Sequence, residues 1–311
     1  MADDEIEHAI ALLRQGKLVA FPTETVYGLG ADATSAAAVA KIFAAKGRPS
    51  TNPLICHVAG VAVARRYAKS WPAKAQQIAD AFWPGPITLV VEKTPDICDL
   101  TTAGGNTVGL RAPAHPLTLE LLRRFDRPLA GPSANRSTRV SPTTAQHVRD
   151  ELGDTVDYIL DGGPCSVGIE STVLDVTTVP PTILRPGGIS REQIEAIIGP
   201  VCAGHHVTPA NVAAASPGQQ AIHYAPQTPA YRFESNQRQT IDSRRAVVLE
   251  CGPDPIAYAR TLYDRLRALD SLGLAAIYVE MPPDEPRWLA VRDRLLRATQ
   301  PLPNDPARSS T

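Results

Sequence analysis

The sequence predicts an α/β protein built as a larger unit, a linker and a smaller unit. Three observations carry that expectation. A chain of 311 residues has the length of about two domains. Short apolar runs alternate with segments of helical period, the signature of mixed strands and helices. Between residues 201 and 226 that periodicity fades, and it returns afterwards.

The elements follow in order. Ile6, Ile10 and Leu13 share one helical face, with Gly16 as the stop. Leu18–Phe21 reads as a strand broken by Pro22. Thr34 or Ser35 caps a helix through Val39, Ile42 and Phe43, which ends at Lys46-Gly47-Arg48-Pro49. The runs NPLICHV, ITLVVEK (87–93) and TVGLRAP (107–113) are strand candidates. HPLTLELLRRF is a helix with Leu117, Leu121 and Leu122 inward, and Leu129–Ala130 leads into Gly131-Pro132-Ser133-Ala134-Asn135. Ser141-Pro142 has the cap-then-proline pattern of a helix start. STVLDV (171–176) and TILR (182–185) are strands, and Ser190 with Gln193 forms a capping box closed by Gly199-Pro200. Beyond the linker, AVVLEC (246–251) and LAAIYV (274–279) are strands, with helices over Ile256–Leu269 and Trp288–Ala298. The organisation expected is therefore 1–200, a linker 201–226, a small unit 227–300 and a disordered tail 301–311.

Composition narrows the function. The net charge of −1 gives no bulk electrostatic reason for binding nucleic acid or membranes. The acidic start MADDEIEHAI is unlike a signal peptide, and no apolar run is long enough to span a bilayer. Five scattered cysteines without a Cys-x-x-Cys pair suit a reduced, cytoplasmic protein. The 29 prolines pre-set many turns, as rigid functional loops require.

Two familiar motifs fail on context. Gly28-Leu29-Gly30-Ala31-Asp32-Ala33 matches G-x-G-x-x-A, but it does not follow the strand directly and lacks the acidic residue about 20 positions on. No P-loop is present. His205 and His206 lie close to Cys202 without a second ligand pair, so no metal site is expected. Taken singly, Lys46 and Arg48 would merely offset a helix dipole, and Ser141 would be a plain cap. Polar residues nonetheless recur just past strand ends: Thr25, His57, Arg111, Ser133, Asn135 and Arg185. Cations, hydroxyls and an amide gathered at one sheet edge describe a polyphosphate pocket.

FPTETVYGLGADA, AKGRPSTNPLICHV, FWPGPITLVV, TVGLRAP, GPSAN, GIESTV and LRPGG occur in this order over residues 17–190. Together they resemble the YrdC-like catalytic domain of the threonylcarbamoyl-AMP synthases, and HYAP (223–226) with the unit after it resembles the family's two-domain form. The resemblance implies a YrdC-like twisted mixed sheet with helices, followed by a long linker and a small Rossmann-like α/β domain. It implies synthesis of L-threonylcarbamoyladenylate and pyrophosphate from L-threonine, bicarbonate and ATP, with Mg²⁺. A tRNA-modifying threonylcarbamoyl transferase complex would take the product, and weak tRNA contact is compatible with it.

By motif position, Thr25, His57, Arg111, Gly131 and Ser171 would hold threonine or its carbamoyl part. Arg48, Asn52, Thr107, Ser133, Asn135, Ser141, Arg185 and Tyr224 would hold ATP. Lys46 and Arg48 would supply catalytic charge, and His57 would orient substrate or accept a proton. Tyr224 would sit near the nucleotide on a linker that crosses the site. A departure falls at Ser216-Pro217-Gly218-Gln219, where the family usually has methionine after the glycine. The alternatives are a carbamoyl-adenylate-forming transferase on the same domain and a non-catalytic RNA-binding module.

Overall fold

The computed structural model describes residues 2–204, 223–240 and 247–302. His205, His206, the Ser216–Gln219 stretch and the tail from 303 onward lie outside the described residues.

The first unit runs α1 (Ala2–Arg14), β1 (Val19–Phe21), β2 (Gly28–Asp32), α2 (Ala36–Lys46), β3 (Ile55–His57), α3 (Val61–Tyr67), α4 (Ala73–Phe82), β4 (Ile87–Glu92) and β5 (Thr107–Arg111). It continues with α5 (Pro116–Phe125), β6 (Leu129–Ala130), α6 (Ala145–Leu152), β7 (Tyr158–Ile159), β8 (Thr172–Asp175), β9 (Thr182–Arg185), α7 (Arg191–Ile198) and β10 (Cys202–Ala203). Its strands form one mixed sheet in the order β10-β9-β8-β4-β5-β3-β6-β2-β1-β7.

The caps explain several boundaries. Ser35 accepts from the Ala38 amide to start α2, and Gly47 ends it in the left-handed region at φ 59°. The Ser190–Gln193 capping box opens α7. One expected start is corrected: α6 begins at Ala145 under a Thr144 cap, not at Ser141-Pro142, because the Ser141 hydroxyl is engaged elsewhere.

The sheet's two faces divide the labour. Cys56, Leu89, Val108, Leu110 and Leu174 point to the face packed by Val39, Ile42, Ile78 and Ile194 of the surrounding helices. Their neighbours point the other way, since side chains alternate along a strand. There Ile55, Val90, Val173 and Leu184 form a small apolar floor, and His57 and Arg111 open into a cavity.

The second unit has β11 (Ala230–Phe233), β12 (Val247–Leu249), α8 (Pro255–Asp270), β13 (Ile277–Glu280), α9 (Leu289–Ala298) and β14 (Gln300–Pro301). Its strands pair in parallel in the order β12-β13-β11-β14. Pro301, read from sequence as the start of the tail, thus belongs to the sheet. Likewise Cys202–Ala203, read as linker, extends the first sheet beside β9.

The units are not independent. Leu262, Tyr263, Leu266, Ile277, Val279, Trp288 and Leu295 form a core that also takes in Val26, Val140, Ile169 and Tyr224. The approach is close: a Cβ on Gly168, whose φ is +82°, would lie 2.5 Å from the Arg260 Cα. No described helix is long and apolar enough to cross a membrane.

Candidate active site

The cavity sits on the open face of the first sheet, roofed by residues 223–224. Thr23, Thr25, Val26 and Gly28 come from the segment joining β1 to β2, and Arg48 from the turn after α2. Ile55 and His57 come from β3, Arg111 from the end of β5, and Gly131, Pro132 and Ser133 from the loop after β6. Glu170 and Ser171 lead into β8, and Arg185 ends β9. His223 and Tyr224 close the ring.

Of the residues expected from sequence, Thr25, Arg48, His57, Arg111, Gly131, Ser133, Ser171, Arg185 and Tyr224 line this space. Lys46, Asn52, Thr107, Asn135 and Ser141 do not. Lys46, expected to supply catalytic charge, stands behind the cavity wall and supports it. Its buried ammonium donates to the Ser133 carbonyl at 2.5 Å and to the Asn135 carbonyl, bracing the loop after β6. Burial and the nearby Arg48 hold its pKa well below the usual lysine range. Asn135 braces the same turn by donating to the Arg136 and Arg139 carbonyls. Ser141 donates to Glu170 Oε1 at 2.6 Å. Thr107 starts the strand that Arg111 ends, paired with Glu92, roughly 13 Å away at the strand rise. Asn52 is 2% exposed, with neither side-chain amide atom partnered.

Three guanidiniums face one carboxylate in the lining, so the cavity is cationic. Arg111 is fixed by an ion pair with Glu24 (2.7 Å), a bond to Thr25 Oγ1 (2.9 Å) and one to the Gly85 carbonyl (3.2 Å). Its five N–H groups leave one on each terminal nitrogen for a ligand. Glu24 is spent on Arg111 and on the Ala114 amide. Asp32 is spent on Thr34 and Arg127. Both carboxylates are thus taken up by the fold itself.

Arg48 donates to the Asn52 and Pro53 carbonyls. Burial pushes it down to about 10, leaving it charged at neutral pH. Arg185 donates to the Ser171 carbonyl at 3.0 and 3.1 Å and to its Oγ at 3.2 Å. Burial lowers its pKa.

Burial, with Arg111 beside it, pushes His57 down to about 3. Its ring bonds the Leu129 carbonyl and leaves Nδ1 unpartnered. A second histidine, His223, is not among the residues expected from sequence; it is likewise pushed down to about 3 by burial and by Arg48, and its Nδ1 has no partner. The Tyr224 hydroxyl is a third buried orphan. Tyr224 also holds the left-handed backbone at φ 63°, a strained conformation typical of functional segments. Its neighbours pin it: the His223 amide donates to the Arg297 carbonyl and the Ala225 amide to that of Thr138.

Sequence reading also missed Thr23, Val26, Gly28, Ile55, Pro132 and Glu170. Glu170 had a signal, since it is the acid in GIESTV and stands beside Ser171. Its pKa falls to about 2. Burial acts to raise it, and Arg294, Arg185 and the Ser141 hydroxyl together outweigh that.

Buried polar atoms are nearly always paired. Orphans on His57, His223 and Tyr224, facing three arginines, describe a site shaped for a polar, anionic ligand. The enclosed space is only about 50 Å³, room for a few waters.

Residues 11–187 match the family model described as "Telomere recombination", and residues 189–300 that of the threonylcarbamoyl-AMP synthase C-terminal domain. A threonylcarbamoyl-AMP synthase of Bacillus subtilis is 41% identical, over 95% of this chain and 93% of the relative. One from Pyrococcus abyssi is 40% identical, over 95% and 94%. The crystal structure of P. abyssi Sua5 complexed with L-threonine superposes with a TM-score of 0.89, at 38% identity over 94% of each chain.

Proposed function

The chain belongs to the threonylcarbamoyl-AMP synthase family, and we propose that its cavity joins L-threonine, bicarbonate and ATP into L-threonylcarbamoyladenylate, releasing pyrophosphate. It has the family's two parts, a YrdC-like domain and a C-terminal domain. The observation that carries the reading is the gathering of orphaned buried polar atoms and three guanidiniums in one enclosure. A ligand of matching polarity would pair with these atoms.

The chemistry follows from that lining. The threonine amine and bicarbonate give a carbamate with loss of water. A carbamate oxygen attacks the α-phosphorus of ATP, the bond to the β-phosphate oxygen breaks, and pyrophosphate leaves. The nucleophile is already anionic, so this step needs no general base. What remains is alignment and charge stabilisation.

Arg111 offers its remaining N–H pair to the threonine carboxylate, and Thr25 is held against it. Burial keeps the His57 ring neutral at physiological pH, so it orients substrate through the Nδ1 lone pair. Arg48 and Arg185 face the phosphates, and Tyr224 and the Asn52 amide meet the nucleotide. Lys46 acts by holding Ser133 in place.

Among the described residues no group of three or more His, Cys, Asp or Glu side chains could cage a metal ion. Mg²⁺ would arrive with the ATP phosphates, as magnesium is commonly held, and would neutralise part of their charge beside Arg48 and Arg185. His223 and Tyr224 roof the space that the nucleotide would take.

The product would pass to a threonylcarbamoyl transferase complex that modifies tRNA. The five free cysteines suit the cytoplasm. The test is pyrophosphate release with threonine, bicarbonate and ATP omitted in turn. Release that does not depend on threonine would refute the reading and favour a carbamoyl-adenylate enzyme. Salt-sensitive tRNA binding with no release at all would favour an RNA-binding module.

A further inference from the structure

Arg294 belongs to α9 of the second unit, yet it is fully buried. Its guanidinium donates from Nε to Glu170 Oε2 at 2.7 Å and from Nη2 to the Pro186 carbonyl at 2.9 Å. Nη1 meets Asp293 Oδ2 at 2.6 Å. The plane lies 5.2 Å from the Tyr224 ring centroid, a cation–π distance. From α8, the Tyr263 hydroxyl donates to the same Glu170 oxygen at 2.9 Å, and its ring stacks on Tyr224 at 5.8 Å.

Every one of these partners outside the second unit is a cavity residue or the neighbour of one. Glu170 and Tyr224 line the cavity. Glu170 precedes Ser171, and Pro186 follows Arg185. An ordinary tie between the units would lie at their rim, as Arg260 does on the Ser166 carbonyl and Arg267 on Glu151. A fully desolvated guanidinium is expensive to hold, and here it grips only one side of the site. The opposite side, with Thr25, His57 and Arg111, receives nothing from the second unit in this network.

We propose that Arg294, assisted by Tyr263, is a positioning residue for the nucleotide half of the active site, fixing the Tyr224 ring, the Glu170 carboxylate and the Arg185-Pro186 corner from the second domain. The proposal rests on the assignment of Tyr224 and Arg185 to ATP.

The test uses the full chain with Arg294→Gln, Arg294→Lys and Tyr263→Phe. Threonine-dependent pyrophosphate release is measured while ATP and threonine are varied separately, with thermal unfolding alongside. Arg294→Gln is expected to raise the KM for ATP at least tenfold and leave the KM for threonine within twofold. Arg294→Lys keeps the charge but not the fork, so it is expected to recover part of that loss. Tyr263→Phe removes one hydroxyl and is expected to raise the ATP KM about threefold or more; it carries the test if Arg294→Gln does not fold. Lowered unfolding temperatures with both KM values within twofold of the parent would reduce Arg294 to a structural tie and overturn the proposal. So would an equal rise in both. A parent chain without threonine-dependent release would instead overturn the assignment of the reaction.

Discussion

Gly131→Ala should damage threonine use without unfolding the protein, and the structure sets the size of the effect. An added Cβ would lie 2.7 Å from Phe21 Cζ and 2.9 Å from His57 Nδ1. Unstrained carbon contacts sit near 3.5 Å or more, so relief asks for roughly 0.8 Å at the Phe21 ring and roughly 0.6 Å at the His57 ring. Neither has free space: Phe21 is fully buried and His57 is 3% exposed, and the two rings already meet edge to face at 5.2 Å. Phe21 is packed into the core under α1 and α5, so the Gly131 loop shifts away from it and His57 is displaced in turn. A displacement near 1 Å can cost about a hundredfold in rate, which predicts a 10- to 100-fold loss in kcat/KM for threonine. Overpacking costs about 1–3 kcal/mol, so the unfolding temperature should fall by several degrees. The assay is pyrophosphate release against threonine concentration at saturating ATP, paired with a thermal melt. Unchanged threonine kinetics together with a clear drop in stability would show that His57 takes no part in placing the substrate.

Three further outcomes are expected. Tyr224→Phe removes a buried orphan hydroxyl, so it should weaken binding of a non-hydrolysable ATP analogue several-fold while leaving stability unchanged or raised; calorimetric titration and a melt check both. His57 and His223, both pushed down to about 3, are neutral when folded and protonate near 6.5 when unfolded. Stability is therefore full above about pH 6.5 and falls as the pH drops below it, by up to about 1.4 kcal/mol per pH unit for each histidine. Urea midpoints at pH 7, 6 and 5 read this slope, and His223→Gln should reduce it. Glu170, held down to about 2 against an ordinary 4.5, adds a further loss as the pH falls from about 4.5 towards 2. Glu170→Gln should flatten that limb of an acid titration.

Much of this was legible in the sequence, for identifiable reasons. The capped helices α2 and α7 and the apolar strands β3, β4 and β5 carry strong local signals. So do the polar residues just past the strand ends, and the sheet edge brings nine of the expected site residues to one cavity. What stayed hidden is long-range. Gly28–Asp32 carries two glycines and is not among the strand candidates, yet it is a strand because β1 and β6 pair with it on either side. Lys46 and Asn135 carry the right chemistry for a phosphate site, but their bonds go to loop carbonyls, which no spacing rule reveals. Ser141 looks like a cap because its preferred partner, Glu170, is 29 residues away. Arg294 sits among arginines on a helix that looks solvent-facing, and only tertiary packing makes it interior.

The alternation along β5 has a consequence for how the gene can vary. Leu110 feeds the hydrophobic interior and Arg111 the cavity, and the same holds for Cys56 and His57 on the adjoining strand. Loss or gain of a single codon within either strand would exchange these assignments, thrusting a guanidinium or an imidazole into oil and a greasy side chain at the substrates. Length changes in these stretches are thus forbidden one residue at a time, whereas substitution can proceed position by position.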